Sequence, residues 1–152
     1  MQLRKAKACE LDTIYEMGFD VWGSGLSYEE YLSLCRQSKK YQLGIWYVLV
    51  DKEVLVSSAI VYRDGFGLKT GCFGIGSLST PPKHRQKGYA SKLVTLLKDE
   101  LFEQQNCQTL YLHSDINHEF YTKLGFKRIL DTDCLLYSKD EQPLPTAPPN
   151  YF

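Results

Sequence analysis

No Cys-x-x-Cys pair occurs in this sequence, and its three histidines, His84, His113 and His118, stand at no zinc-ligand spacing from the cysteines. No metal is therefore expected. The five thiols (Cys9, Cys35, Cys72, Cys107, Cys134) are odd in number and scattered, which argues for free cysteines in a reducing compartment rather than a disulfide framework. No apolar run is long enough to span a bilayer, and the N-terminal segment lacks the apolar core of a signal peptide. A cytoplasmic location without a membrane partner is expected. Charge of one sign is missing too: 18 basic and 18 acidic residues cancel, without the basic excess of a nucleic-acid binder. The same balance argues against a large acidic field that would steer histone tails or other strongly basic substrates inward.

What is present is a core. Apolar residues make up 43% and aromatics 13% of 152 residues, which suits one globular domain. Residues 3–8 alternate like a short strand. From Glu10, the positions Leu11, Ile14, Tyr15, Gly18 and Trp22 mark one helical face, which Gly23 and Gly25 stop. Ser27 and Glu30 have the spacing of a capping box, and Tyr28, Tyr31, Leu32 and Cys35 continue a single apolar face behind it. Residues 44–50 and 54–62 are β-rich and joined at Asp51-Lys52-Glu53, which predicts a hairpin. A third strand ends near Thr80. A helix then carries the stripe Ala90, Leu93, Val94, Leu97 and Leu101. Residues 109–114 read as a buried strand, a pairing most often parallel across a helical crossover. A short helix over 117–124 closes at Gly125. Two antiparallel strands, 126–130 and 134–138, follow.

The chain divides into a domain over 1–141 and a tail over 142–152 holding Pro143, Pro145, Pro148 and Pro149, which cannot be a helix or a central strand. A frayed extended end is the ordinary expectation for such a segment. The apolar pair Tyr151-Phe152 is a heavy load for a free end and leaves docking open. Gly71, Gly74 and Gly76 match neither the dinucleotide fingerprint nor the Walker pattern, so they mark a bulge or a close backbone approach.

The segment from Gly76 to Ala90 reads as strand, basic loop and first helical turn. That order aims unpaired backbone N–H groups at the end of a strand, where an anion such as a pyrophosphate can sit. Gly88 lets the backbone approach phosphate oxygens, and Ala90 keeps the helix start slim. Lys83, His84, Arg85 and Lys87 add local positive charge. The alternative, a solvated basic turn capping a structural helix, leaves the Gly and Ala positions without a purpose, since caps favour Ser, Thr, Asp or Asn.

Arg85-Gln86-Lys87-Gly88-Tyr89-Ala90, read with Leu78, Ser79 and Thr80 before it, resembles the cofactor loop of the GNAT N-acetyltransferase superfamily. Phe120-Tyr121-Thr122-Lys123-Leu124-Gly125-Phe126 is similar to the family's second cofactor segment, and the resemblance spans nearly the whole chain. It implies an α/β (α+β) fold with a mixed, mostly antiparallel central sheet, a splayed parallel strand pair and about four helices on both faces. It also implies acetyl-CoA as cosubstrate, cradled by Arg85, Gln86, Lys87, Gly88, Tyr89, Ala90 and Ser91. The backbone of Leu78, Ser79 and Thr80 would pair with the pantetheine arm as with an added strand. Asn117 joins the cofactor contacts on the same resemblance.

Tyr121 matches the family tyrosine that protonates the leaving thiolate, with half-buried packing beside Phe120 the lesser alternative. Many family members carry a Glu on the strand before the cofactor loop, but residues 72–80 hold no acid. An amine resembling lysine is neutral in only about one part in several thousand at pH 7, so its proton needs an acceptor. Asp115, at the end of the next strand, is the nearest candidate, and would serve equally well as the N-cap of the following helix. Glu29 enters the helix that lines the acceptor side in this family. His113 is a further candidate, with packing the alternative. The implied activity is acetyl transfer to a primary amine of a small molecule, amino acid or protein, with a homodimer among the expectations. The rival reading is a non-catalytic acyl-CoA sensor or partner subunit.

Overall fold

The computed structural model describes residues 1–115, 117–140, 145 and 147–152. Seven strands form one mixed sheet in the order β1-β2-β3-β4-β5-β7-β6, the α+β class expected. They are β1 (Gln2–Lys5), β2 (Ile45–Asp51), β3 (Val54–Tyr62), β4 (Cys72–Ser79), β5 (Thr109–His113), β6 (Lys127–Arg128) and β7 (Cys134–Ser138). The described residues also form six α-helices: α1 (Leu11–Met17), α2 (Phe19–Trp22), α3 (Tyr28–Gln37), α4 (Lys39–Leu43), α5 (Tyr89–Gln104) and α6 (His118–Lys123). The chain divides into two compact units, Met1–Ile60 with Ser77–Leu93, and Val61–Gly76 with Val94–Phe152.

In the first unit β1 pairs antiparallel with β2, from Gln2 opposite Val50 to Lys5 opposite Tyr47. The expected strand is shorter than its alternation, because a 3-10 turn at Ala8–Glu10 follows. The helix expected to run on to Trp22 is broken at Gly18 into α1 and α2. Trp22 folds its ring back over Gly18 and stays 46% exposed, so it does not join the buried face of Ile14, Tyr15 and Met17. The capping box forms as predicted: Glu30 N donates to Ser27 Oγ at 3.2 Å and Ser27 N to Glu30 Oε1 at 3.4 Å. Tyr31, Leu32 and Cys35 are its buried face, whereas Tyr28 is 40% exposed. Helix α4, which no periodicity announced, starts from a Ser38 side-chain cap on Tyr41 N at 3.2 Å. The β2–β3 turn places Lys52 (φ 50°) and Glu53 (φ 67°) in the left-handed region, as a two-residue hairpin with strand-matched twist requires.

In the second unit β4 runs parallel to β5, with Cys72 opposite Thr109 through Ile75 opposite Leu112. The crossover is α5, whose Leu93, Val94, Leu97 and Leu101 are fully buried, each worth roughly 1.5–3 kcal/mol of burial. Strand β7 pairs antiparallel with β5 and with β6. The last residues are docked, not frayed. Phe152 is 4% exposed and packs on Tyr62, Phe66 and His113, with ring centroids 5.7, 5.7 and 4.6 Å away. Asn150 N donates to Phe66 O at 2.7 Å. Gly74 is the close approach: a Cβ there would stand 2.4 Å from Phe152 Cζ. The apolar load of residue 152 thus outweighs the entropy of a loose end. Pro143, part of the expected tail, lies outside the described residues.

Candidate active site

Within the first unit, β4 ends on a set of buried hydroxyls. Ser57 and Ser58 of β3 are fully buried, a costly position for a polar group without partners. The end of β4 satisfies them: Ser57 Oγ donates to Ser79 O at 2.9 Å and lies 3.0 Å from Thr80 Oγ1, while Ser58 Oγ lies 3.4 Å from Ser79 Oγ. Besides the close approach at Gly74, the strand carries an irregularity at Ser77, whose φ is 45°. Its hydroxyl donates to Tyr41 Oη at 3.3 Å, and Tyr41 meets Tyr15 and Trp46 in one aromatic cluster.

After the 3-10 turn Pro82–His84, the backbone becomes left-handed at Gln86 (φ 62°) and Gly88 (φ 81°). Helix α5 starts there. Its first helical hydrogen bond, Lys92 N to Gly88 O at 3.0 Å, leaves the amides of 88–90 ahead of the ladder, at the positive end of a 16-residue helix. Apart from its own chain neighbours, no described residue comes within 4 Å of a Cβ placed on Gly88, so the turn faces open space. Lys83 and Lys87 are exposed beside it. Amides, open space and local positive charge suit a phosphate group.

Arg85 was expected to lend charge to that anion, but its side chain is engaged by protein. Nη1 and Nη2 donate to Asp20 Oδ2 and Oδ1 at 2.6 and 2.8 Å, and Nε to Thr80 O at 2.8 Å. The bidentate bond to Arg85 holds the Asp20 carboxyl below its usual range. Tyr89 donates to Asp51 Oδ2 at 2.9 Å, which raises its phenol and engages its side chain within the protein. His84 packs edge-on against Tyr89, with a buried Nε2 that has no hydrogen-bond partner among the described residues. Glu29 is exposed on the first turn of α3 and makes no ion pair among the described residues.

Within the second unit, α6 carries Tyr121. Its ring is set edge-on against Phe120 (5.0 Å) and Phe126 (6.1 Å), and burial raises its phenol above the ordinary value. The hydroxyl makes no hydrogen bond to another described residue. Lys98 donates to Leu124 O at the end of α6 and lies 4.2 Å over the Tyr137 ring. Asp115 is not the helix N-cap. Asn117 takes that position at φ 56°, without a side-chain bond, because the chain turns two residues later than the acidic cap would require. Asp115 is exposed. His113 is engaged by the end of the chain: Nε2 lies 3.1 Å from Asn150 O and its ring meets Tyr151 and Phe152.

The structure therefore gathers Leu78, Ser79, Thr80 and residues 85–91 in the first unit, and Asp115, Asn117 and Tyr121 in the second. Asp20, Ser57, Ser58 and Ser77 escaped sequence reasoning. Asp20 reaches its partner across 65 residues and carries no local signal. Among the described residues no group of three or more His, Cys, Asp or Glu could hold a metal ion, and no helix is long and apolar enough to cross a membrane.

The chain belongs to the Acetyltransferase (GNAT) family, whose model matches residues 10–126 and so includes both the turn and Tyr121. No curated protein matches the sequence. Among solved structures, a GNAT family acetyltransferase from Brucella melitensis in complex with acetyl-CoA is similar at 16% identity, covering 99% of this chain and 95% of its own, with a TM-score of 0.70. An aminoglycoside acetyltransferase in complex with coenzyme A is 20% identical over 91% of this chain and 94% of its own, with a TM-score of 0.69. A spermidine N-acetyltransferase chimera including Vibrio cholerae sequence is 16% identical, covers 91% and 96%, and has a TM-score of 0.67. At these identities the likeness establishes the fold. The chain is a GNAT acetyltransferase.

Proposed function

We propose that this acetyltransferase moves an acetyl group from acetyl-CoA to a primary amine by direct attack. The open left-handed turn at Gly88, ahead of α5, carries the reading. A diphosphate fits amides of 88–90 that precede the helical ladder, with Lys83 and Lys87 beside them. The structures of similar proteins holding acetyl-CoA and coenzyme A support the same ligand. Acetyl-CoA supplies an activated thioester. The chain's residues bind it, polarise it and manage two protons. Leu78, Ser79 and Thr80 offer backbone groups to the extended amide arm, with amides near Leu78 and Ser79 polarising the thioester carbonyl.

As the new N–C bond forms and the C–S bond breaks, Tyr121 donates its phenolic proton to the departing sulfur and recovers one from solvent. Burial keeps that phenol protonated. Asp115, exposed and without cap duty, receives the amine's proton directly or through water, and Glu29 orients the cationic acceptor. Asn117 contributes to the cofactor side. Residues 1–141 act as one cytoplasmic catalytic domain, with 142–152 as its tail.

The test is thiol release from acetyl-CoA across amines, amino acids and peptides. Tyr121→Phe should lower turnover at least tenfold with coenzyme A affinity nearly unchanged. Tight binding without turnover on any amine would make the protein a sensor instead. An acetyl-cysteine intermediate would refute direct transfer.

A further inference from the structure

The structure assigns Asp20 the part of a positioning residue for the cofactor turn, an inference that rests on the acetyl-CoA reading above. Arg85 is the last residue before the left-handed Gln86, and all three directions of its guanidinium are engaged. Nε donates to Thr80 O at 2.8 Å, closing the loop over residues 80–85 from within. The paired Nη groups grip the Asp20 carboxylate at 2.6 and 2.8 Å. Without that carboxylate the fork has nothing to hold it in the plane that reaches Thr80, since a guanidinium's donors are fixed relative to one another.

Asp20 is itself held from behind. Its neighbour Phe19 stacks on Tyr31 of α3, with centroids 5.3 Å apart and an interplanar angle of 14°, and contacts Tyr28 at 5.6 Å. Helix α2 is thus a one-turn bracket between α3 and the turn. Arg85 acts through the path of residues 86–88, rather than as a charge offered to phosphate.

A second bidentate pair, Arg36 with Asp12, has comparable side-chain exposure (48% and 54%, against 36% and 44% for Arg85 and Asp20) but no bond to the turn. It serves as the control. Coenzyme A and acetyl-CoA would be titrated calorimetrically into the wild type, D20N, D20E, R85K and D12N, with steady-state kinetics on an active amine. D20N should raise the acetyl-CoA Kd and KM about tenfold with kcat within twofold. D20E should return to within about threefold of wild type. R85K keeps a charge but loses the fork, and should weaken binding as D20N does. D12N should bind like the wild type. Wild-type affinity in D20N or in R85K, or equal weakening in D12N, would overturn the inference while leaving the acetyl-CoA reading intact. A wild-type protein that binds neither ligand would sink both.

Discussion

Replacing Gly88 by alanine separates what the backbone needs from what the ligand needs. At φ 81° an L-residue is strained by about 1–2 kcal/mol. Apart from the chain neighbours, no described residue lies within 4 Å of the added Cβ, so no tertiary clash adds to that strain. For a domain of this size, such a loss lowers the melting temperature by about 2–8 °C. Gly65 is a matched control, with φ 79° and equally empty surroundings, but it lies outside the turn. G88A and G65A should therefore melt alike. Their ligand binding should differ. The Cβ of G88A occupies the space we assign to phosphate oxygens, and displacing them costs about 1.4–2.8 kcal/mol, a ten- to hundredfold loss of affinity. Calorimetric titration with coenzyme A, alongside thermal unfolding of the unliganded proteins, reads both quantities. Unchanged coenzyme A affinity in G88A, or equal weakening in G65A, would refute the cradle.

Further outcomes test other parts of the structure. Because burial raises the Tyr121 phenol, the loss of turnover that follows its ionisation should fall above pH 10, and Tyr121→Phe should abolish that limb of the kcat profile. F152A should cost about 2–3 kcal/mol and release exchange protection at Asn150 N; an unchanged melting temperature would mean that residue 152 is not docked in solution. Glu10, chelated by Arg4 at 2.8 Å through both oxygens, has its carboxyl lowered to about 2 from an ordinary 4.5. A depressed acid stabilises the fold above its unfolded value, so this contribution, about 1 kcal/mol for a part-buried pair near the surface, should be complete above pH 4.5 and vanish as pH falls towards 2. In R4M, urea unfolding against pH should lose that step.

Several elements were legible because their signals are local. The capping box of Ser27 and Glu30, the stripe from Leu93 to Leu101, the hairpin around Lys52 and the stop at Gly125 all formed where spacing placed them. Other readings failed where distant partners decide. Trp22 has helical spacing with Leu11 and Tyr15, yet the break at Gly18 turns it outward. Asp115 has the right chemistry for a cap, but the chain enters α6 through Asn117. Arg85 reads as a phosphate-seeking charge, and Asp20 had already claimed it.

Sequence by itself determined the order of the seven strands, the family and the place of the turn around Gly88, because periodicity, caps and glycine positions act over a few residues. Only the tertiary structure decided which side chains remain available at that turn, since hydrogen-bond partners such as Asp20 for Arg85 or Asp51 for Tyr89 are chosen by proximity across 65 and 38 residues. It also decided that Phe152 is core. A terminal aromatic can bury itself only if the fold leaves a place for it, and here that place lies over Gly74, where no side chain stands.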